Sequence, residues 1–354
     1  MYKLTKWFLV LSLLVFIFSS CVAQTREYTT LEAIAKYLSE TEGGNNVNNP
    51  LNLKANIDLQ NMLVDDSGWK QLLKIINTQG KFVALDLTNS RMSNTEFNPD
   101  AEFKDGKRFI VSLTLPNITE SIPETRIPNR RSMFGYDSIS TFQHFENLTL
   151  VIPAKVTEIG FYALSGNIKN VEFLSGSKLD KIGSIFGSSS DIVNIMNIPA
   201  NITSIGQFCL AYLKNLKSVT FENKSNLSRI EYFTFHRNEN LDNIIIPESV
   251  TFIGDSAFEE CTNFKNIIIP ANVSSIGEYA FQDCINLKSI TFLSIEPPII
   301  GKNIFSHKEY INNRSFYVIP GIPSLEVIFV PSSSIEKYKN AENWNEYSDL
   351  IKGK

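Results

Sequence analysis

Along most of this chain the apolar residues recur with a long period that neither a helix nor an isolated strand explains. From Asn147 onward the pattern is regular enough to count: units begin at residues 147, 168, 193, 216, 241 and 264, with lengths of 21, 25, 23, 25, 23 and 23 residues. A period in this range predicts a solenoid. In "LDNIIIPESVTFIGDSAFEECTN" (241–263) and "FKNIIIPANVSSIGEYAFQDCIN" (264–286), Leu241, Ile244 and Ile246 and then Phe264, Ile267 and Ile269 follow the spacing of a strand with one buried face. Pro247 and Pro270 end that strand, because proline cannot donate to a ladder. Val250 with Ile253, and Val273 with Ile276, supply a second apolar edge before Gly254 and Gly277, which the pattern places in a turn that a side chain would strain. Ala257-Phe258 and Ala280-Phe281 then return the chain to the core, a small residue beside a large one. No unit buries its apolar face alone, so the units must stack, strand on strand, into one continuous core.

Before the repeats the periodicity is helical. "TREYTTLEAIAKYLSE" carries Leu31, Ile34, Ala35 and Leu38 on one face, with Thr29 and Glu32 spaced as a capping box. The stretch 41–50 is a loop rich in Gly and Asn, and a second helix is expected around Ser67 to Ile76 with Trp69, Leu72, Leu73 and Ile76 inward. Strand-and-turn patterns begin at "KFVALDLTNSRMSNTEF" and return at "IVSLTLPNITESI" (110–122). These signals divide the chain into an export signal (1–20), an N-terminal segment with a short helix and linker (21–50), an N-terminal cap (51–80), a solenoid (81–292) and a C-terminal repeat with its cap (293–354).

Cys261 and Cys284 occupy the same place in successive units, where buried thiols, a disulfide or a metal pair are the three readings. The equivalent residue in the unit from 193 is Leu213, which suits a core position and not a ligand. Zinc would need two further ligands, and none of His144, His236 and His307 is placed to help. Buried thiols fit the pattern best.

The motif "IPxxVTxIGxxAFxxCxxL" after a strand of type "LxxIxI" resembles the BspA-like branch of leucine-rich repeat proteins, over roughly residues 80 to 345. The match is close in units 193–292 and looser in "LVIPAKVTEIGFYALSGNIKNVEF", where Leu164 replaces Phe. The ending "VIFVPSSSIEKYKNAENWNEYSDLI" resembles the terminal unit of that family, with Pro331, a short helix bearing Tyr338 and a loop with Trp344. The resemblance implies a β-rich solenoid of leucine-rich-repeat type with units of about 23 residues, a short N-terminal helical cap and a C-terminal capping unit. It also implies a secreted or surface-anchored bacterial protein of adhesin type. Its expected partners are host extracellular-matrix or plasma proteins such as fibronectin and fibrinogen, host cells, or other bacterial surface proteins.

Composition narrows the chemistry. With 33 Lys and Arg against 37 Asp and Glu the net charge is -4, and no basic block is present that could neutralise a run of phosphates, so nucleic acid is not an expected partner. Three histidines in 354 residues, each isolated, and adjacent pairs such as Asp65-Asp66 and Glu259-Glu260 give no acid/base constellation. The histidines are expected to be surface or loop residues, and the carboxylate pairs to be solvated. No catalytic residue, cofactor or metal is expected.

"MYKLTKWFLVLSLLVFIFSSCVAQ" has Lys3 and Lys6 followed by an apolar run from Trp7 to Phe18, too short for the roughly 20 residues of a membrane span. Phe18-Ser19-Ser20-Cys21 resembles the lipobox of bacterial lipoproteins and departs from it at Phe18 and Ser20. It implies lipidation at Cys21. An ordinary signal peptide that contains a cysteine is the other reading. No Asp follows Cys21, so the inner-membrane retention signal is missing and the expected location is the outer membrane and cell surface.

For a non-catalytic solenoid the expected binding face is the solvent side of the strands, with Met196, Lys217, Thr220, Asn243, Ile245, Asn266, Ile268, Lys288 and Thr291 as candidates. A plain solvated sheet face is the alternative. The irregular insertion 122–145, with Arg126, Arg130, Arg131, Phe134 and Tyr136, is a second candidate site, or a packing loop. A periplasmic or envelope scaffold built on the same repeats is the competing functional reading.

Overall fold

The computed structural model describes residues 26–354 apart from 124, 133–134, 140, 143, 161, 165–167, 187–194 and 313–314; the side chains of 125–132, 135–139, 195–196, 310–312 and 315 also lie outside the description. The export signal and Cys21 are therefore outside the described residues.

The chain is a repeat solenoid with three hydrogen-bonded sides. On the first, parallel strands follow one another in three sheets. The first sheet runs Glu27–Tyr28, Leu51–Ala55, Val83–Asp86, Ile110–Thr114, Leu148–Ile152 and Ile168–Phe173. The second holds Ile195–Ile198, Ser218–Phe221 and Asn243–Ile244, and the third Asn266–Ile269, Ser289–Phe292, Val327–Val330 and Ile351–Gly353. Register puts like residues above one another: Val219 on Ile244, then Ile267 on Ile290, Ile328 and Ile351, all buried. The ladder reaches further toward the N-terminus than residue 81, since Leu51–Ala55 already pairs with Val83–Asp86. The alternation of Leu51, Leu53 and Ala55, all buried, is the sequence signal for it.

The second side is a ladder of two-residue strands, Lys181–Ile182, Ser204–Ile205, Arg229–Ile230, Phe252–Ile253, Ser275–Ile276 and Ile299–Ile300, unbroken across six coils. A row of hydroxyls doubles it: Thr203, Ser228, Thr251 and Ser274 each donate to a backbone carbonyl of the preceding coil at 3.1–3.2 Å. Here the glycines act differently from the sequence expectation. Gly254 and Gly277 do not have positive φ; a Cβ at Gly254 would meet Tyr232 N at 2.7 Å, and one at Gly277 would meet Asp255 N at 2.4 Å. Close approach of the neighbouring coil, and not a strained turn, requires glycine.

The third side is the turn edge, where alternate backbone amides donate to the next coil: Phe233, Phe235 and Arg237 to Asp255, Ala257 and Glu259, and Ser256, Phe258 and Glu260 to Glu278, Ala280 and Gln282. The outer two of each trio have positive φ without being glycine, as at Phe233 and Arg237, Ser256 and Glu260, and Tyr279 and Asp283. A left-handed non-glycine residue costs about 1 kcal/mol or more, and at these six positions the amide so turned makes a bond between coils. Inside this edge Phe235, Phe258 and Phe281 stack at 5.2 and 5.4 Å within 5° of parallel, and Phe305 continues the column at 5.9 Å.

Helices close the first end. Helix α1 (Leu31–Glu40) is capped by Thr30, whose hydroxyl accepts from Ala33 N at 3.2 Å. The cap is not Thr29, because Glu27–Tyr28 is held in the sheet against Lys54 and Ala55 and the helix starts after it. Helix α2 (Gly68–Gln79) starts at Ser67, ends at left-handed Gly80 and buries Trp69, Leu72, Leu73 and Ile76. At the other end, helix α3 (Ile335–Asn340) brings Tyr338 under the last coil beside Trp344. Both rings pack on Phe292, and the Trp344 indole donates to Pro298 O at 2.9 Å.

Two antiparallel hairpins interrupt the coils, Thr125–Ser132 with Gly135–Ile139 and Ser306–Asn312 with Ser315–Pro320. The insertion 122–145 thus contains a hairpin. Arg126, Arg130, Arg131 and Tyr136 lie on its strands with side chains outside the description, and Phe134 lies outside the described residues.

Candidate functional site

On the strand side, residues that alternate with the buried row form the outer face. Thr220, Asn243, Ile245, Asn266 and Ile268 are exposed there, and so are Lys217 and Lys288, which precede their strands in phase with the buried Val219 and Ile290. Ile245, just past the strand Asn243–Ile244, and Ile268 are 76% and 55% exposed on successive coils. Around them the face is polar: Thr220 donates to Asn197 Oδ1 at 3.0 Å and Ser289 to Asn266 Oδ1 at 2.7 Å.

Met196 is in register with Val219, and its side chain lies outside the description. Its neighbour Asn197 is exposed. One candidate does not belong to this face. Thr291 is buried at 9% exposure, because its register partners on either side are the larger Ile268 and Phe329. The site therefore centres on Ile245 and Ile268 and thins out toward the C-terminal cap.

Beside Ile245 a cavity of about 540 Å³ opens, walled by Val219, Phe221 and Pro247 and rimmed by Asn243 and Glu248. A second, of about 380 Å³, lies between Asn170, Val171, Glu172, Phe173 and Asn197. A shallower hollow of about 170 Å³ over Leu53 and Leu85 has polar walls and no aromatic residue.

The titratable residues gather on the turn edge instead. His236 is buried, with its ring edge-on to Tyr212 and Phe233. Its Nδ1 makes no hydrogen bond and lies 3.6 Å from Glu259 Oε2. Lys308, from the second hairpin, is hydrogen-bonded to Glu259 and Glu260 and lies 3.5 Å from Asp283, while Arg237 pairs with Glu260 at 2.7 Å. The expectation of a solvated Glu259 is therefore corrected, and His236, though in a turn, is not at the surface: stacking of the coils buries both. Burial opposes the charge on Lys308, yet Glu259, Glu260 and Asp283 hold its pKa above the ordinary lysine value. Burial lowers the pKa of His236 against the pull of Glu259 and Glu260, and raises that of Asp283. The cluster holds its own cation and binds the hairpin to two coils, 241–263 and 264–286. His144 and His307 are half-buried, and His307 Nδ1 meets Gly321 O at 2.8 Å.

The repeated cysteines lie in the core. Cys261 and Cys284 donate to Phe235 O and Phe258 O, each at 3.2 Å, and Cys209 is buried one column away. Burial raises all three thiols, Cys209 to about 12, so they stay protonated and unreactive. In the coil from 216 the equivalent position is Asn238, which bonds the preceding coil in the same way, through Leu210 O at 2.8 Å. The thiols are structural donors.

This architecture of parallel strands, stacked turns and capped ends defines a leucine-rich repeat solenoid. Six copies of the BspA type leucine-rich repeat region match residues 137–238 and 228–318, about half of the chain, and the chain belongs to that family. It is similar to a leucine-rich repeat protein of T. pallidum (20% identity, 44% of this chain and 74% of that one, TM-score 0.34) and to one of Bacteroides ovatus (18%, 86% and 87%, 0.27). A leucine-rich cell surface protein of Faecalibacterium prausnitzii is also similar (18%, 69% and 87%, 0.33). No curated protein matches the chain.

Proposed function

We propose that this chain is a lipid-anchored bacterial surface protein that binds a macromolecule, without catalysis, through the outer face of its strands. The observation that carries the reading is the pair Ile245 and Ile268, exposed on successive coils of an otherwise polar face, the first of them lining a cavity. Isolated exposed apolar side chains are ordinary, but two on successive coils, one at a cavity, suit a protein partner. The resemblance to the lipobox at Cys21 supports anchoring, and among the described residues no helix is long and apolar enough to cross a membrane. The family resemblance supports an adhesin-like role toward host matrix or plasma proteins, or toward other bacterial surface proteins.

The test is protease added to intact cells, with a periplasmic protein as internal control. Cleavage of the solenoid while the control survives is the expected outcome, and fibronectin, fibrinogen and host cells then become the ligands to try. Protection until the envelope is opened would overturn the surface reading and leave a periplasmic scaffold.

A further inference from the structure

The turn edge buries a polar group that is left unpaired. His236, in coil 216–240, is 7% exposed, and among the described residues its Nδ1 has no hydrogen-bond partner. The rings of Tyr212 and Phe233 stand edge-on to the imidazole at 5.2 and 5.5 Å, and Glu259 Oε2 of the next coil lies 3.6 Å from Nδ1. A proton on the ring turns that nitrogen into a charged donor facing a carboxylate. The carboxylate is already in use.

Oε1 of Glu259 accepts from the ammonium of Lys308, which belongs to the hairpin of Ser306–Asn312 and Ser315–Pro320. Lys308 also donates to Glu260 at 3.3 Å and lies 3.5 Å from Asp283, and its backbone amide donates to Asp283 Oδ1 at 2.8 Å. Arg237 is held by Glu260 at 2.7 Å. Charge on His236 is therefore opposed by burial, favoured by Glu259 and Glu260, and opposed by Arg237 and Lys308. Of these groups Lys308 is the one the hairpin brings. A docked hairpin thus weakens proton binding at His236, and by reciprocity a proton on His236 must weaken the hairpin's hold.

The base of the hairpin is held differently. Gln282 Nε2 donates to Ser306 Oγ at 2.7 Å and Asp283 N to Ser306 O at 2.9 Å, bonds that involve no ionisable atom. His307 Nδ1 meets Gly321 O at 2.8 Å, a bond the ring can donate whether neutral or charged. Acid therefore acts on the arm of Lys308 and spares the base.

We propose that the hairpin is an acid-released strap: a proton on His236 draws Glu259 away from Lys308 and frees the hairpin from coils 241–263 and 264–286 while the stack of coils stays closed. Burial keeps the ring's pKa below its ordinary value while the hairpin is docked, so docking has its full strength above the ordinary histidine range. It weakens as pH falls through that range and levels off below the docked value. Asp283, raised by burial, is the other group able to loosen Lys308 in mild acid. Burial raises Glu260 too, but Arg237 and Lys308 carry it below the usual carboxylate value, and it stays charged there.

The experiment is hydrogen–deuterium exchange of the full chain between pH values of about 7.5 and 5.5, read as protection factors so that the intrinsic pH dependence of exchange cancels. Protection of the two hairpin strands should fall about tenfold, while that of Asn266–Ile269 in the stack stays within about twofold. His236→Gln should hold the hairpin's fall under about twofold, and Asp283→Asn should leave it as in wild type. A fall that persists in His236→Gln assigns release to another group, Asp283 if Asp283→Asn removes it, and overturns the proposal. A fall shared equally by the stack, or no fall at all, does the same. A second measurement leaves His236 in place: by NMR its ring should titrate at higher pH in Lys308→Met than in wild type, and an unchanged titration would sink the strap whatever the exchange data show.

Discussion

The strand face and the turn edge belong to the same coils, yet they are finished differently. At the turn edge, hydrogen bonds pass from coil to coil at alternate residues, phenylalanines stack ring on ring, and the charged side chains find one another. The strand face breaks into three sheets, carries cavities and leaves two isoleucines in water. One side of each coil is committed to holding the stack together, which leaves the other side free to vary. Substitutions on the two sides should therefore be read out by different measurements.

The contrast is broken most severely at the phenylalanine column. Phe258→Ala removes a ring stacked between Phe235 and Phe281 and should cost about 4 kcal/mol in urea unfolding. A loss under about 1 kcal/mol would show that the column does not carry the edge. Next comes Lys308→Met, which leaves the buried Glu259 and the half-buried Asp283 without their ammonium, while Glu260 keeps Arg237; about 3 kcal/mol is expected, with faster amide exchange in the hairpin 306–320. Gly277→Ala forces a Cβ against the Asp255 backbone and should cost about 2 kcal/mol.

A pH series sharpens the same comparison with a smaller effect. Burial holds the His236 pKa below its unfolded value, so the unfolded chain takes up the proton first as pH falls. Stability must drop as acid is added through the ordinary histidine range and level off below the folded pKa. His236→Gln should flatten that slope between pH values of about 7.5 and 5.5; an unchanged slope would assign it to another group. The least effect on stability is expected on the open side. Ile268→Asp should shift unfolding by under about 0.5 kcal/mol while removing partner binding.

The core was legible because it repeats: Ile244, Ile267 and their equivalents recur at a fixed phase, and stacking makes that phase a shared environment. The outer face was legible only where the same phase was kept. Asn197 is exposed and was passed over for Met196, whose side chain lies outside the description. Thr291 was misplaced, since its burial comes from its strand neighbours Ile268 and Phe329. Nothing in the residue types at Phe233 or Glu260 signals a left-handed backbone, because the usual marker, glycine, is missing there. The charged cluster is scattered over more than 70 residues, His236 to Lys308, although reading the units as columns sets His236 beside Glu259. The cavities had a signal too, the two extra residues in units 168–192 and 216–240.

The bonds between coils join residues at a nearly constant offset, Ser228 to Thr251 to Ser274 and Phe235 to Phe258 to Phe281. A gene that lost residues 241–263 in frame would bring Phe281 onto Phe235 and Ser274 onto Ser228, with the hydrogen-bond register intact. The coil, and not the residue, is then the smallest unit by which such a protein can be lengthened or shortened, and its length can be set by copy number.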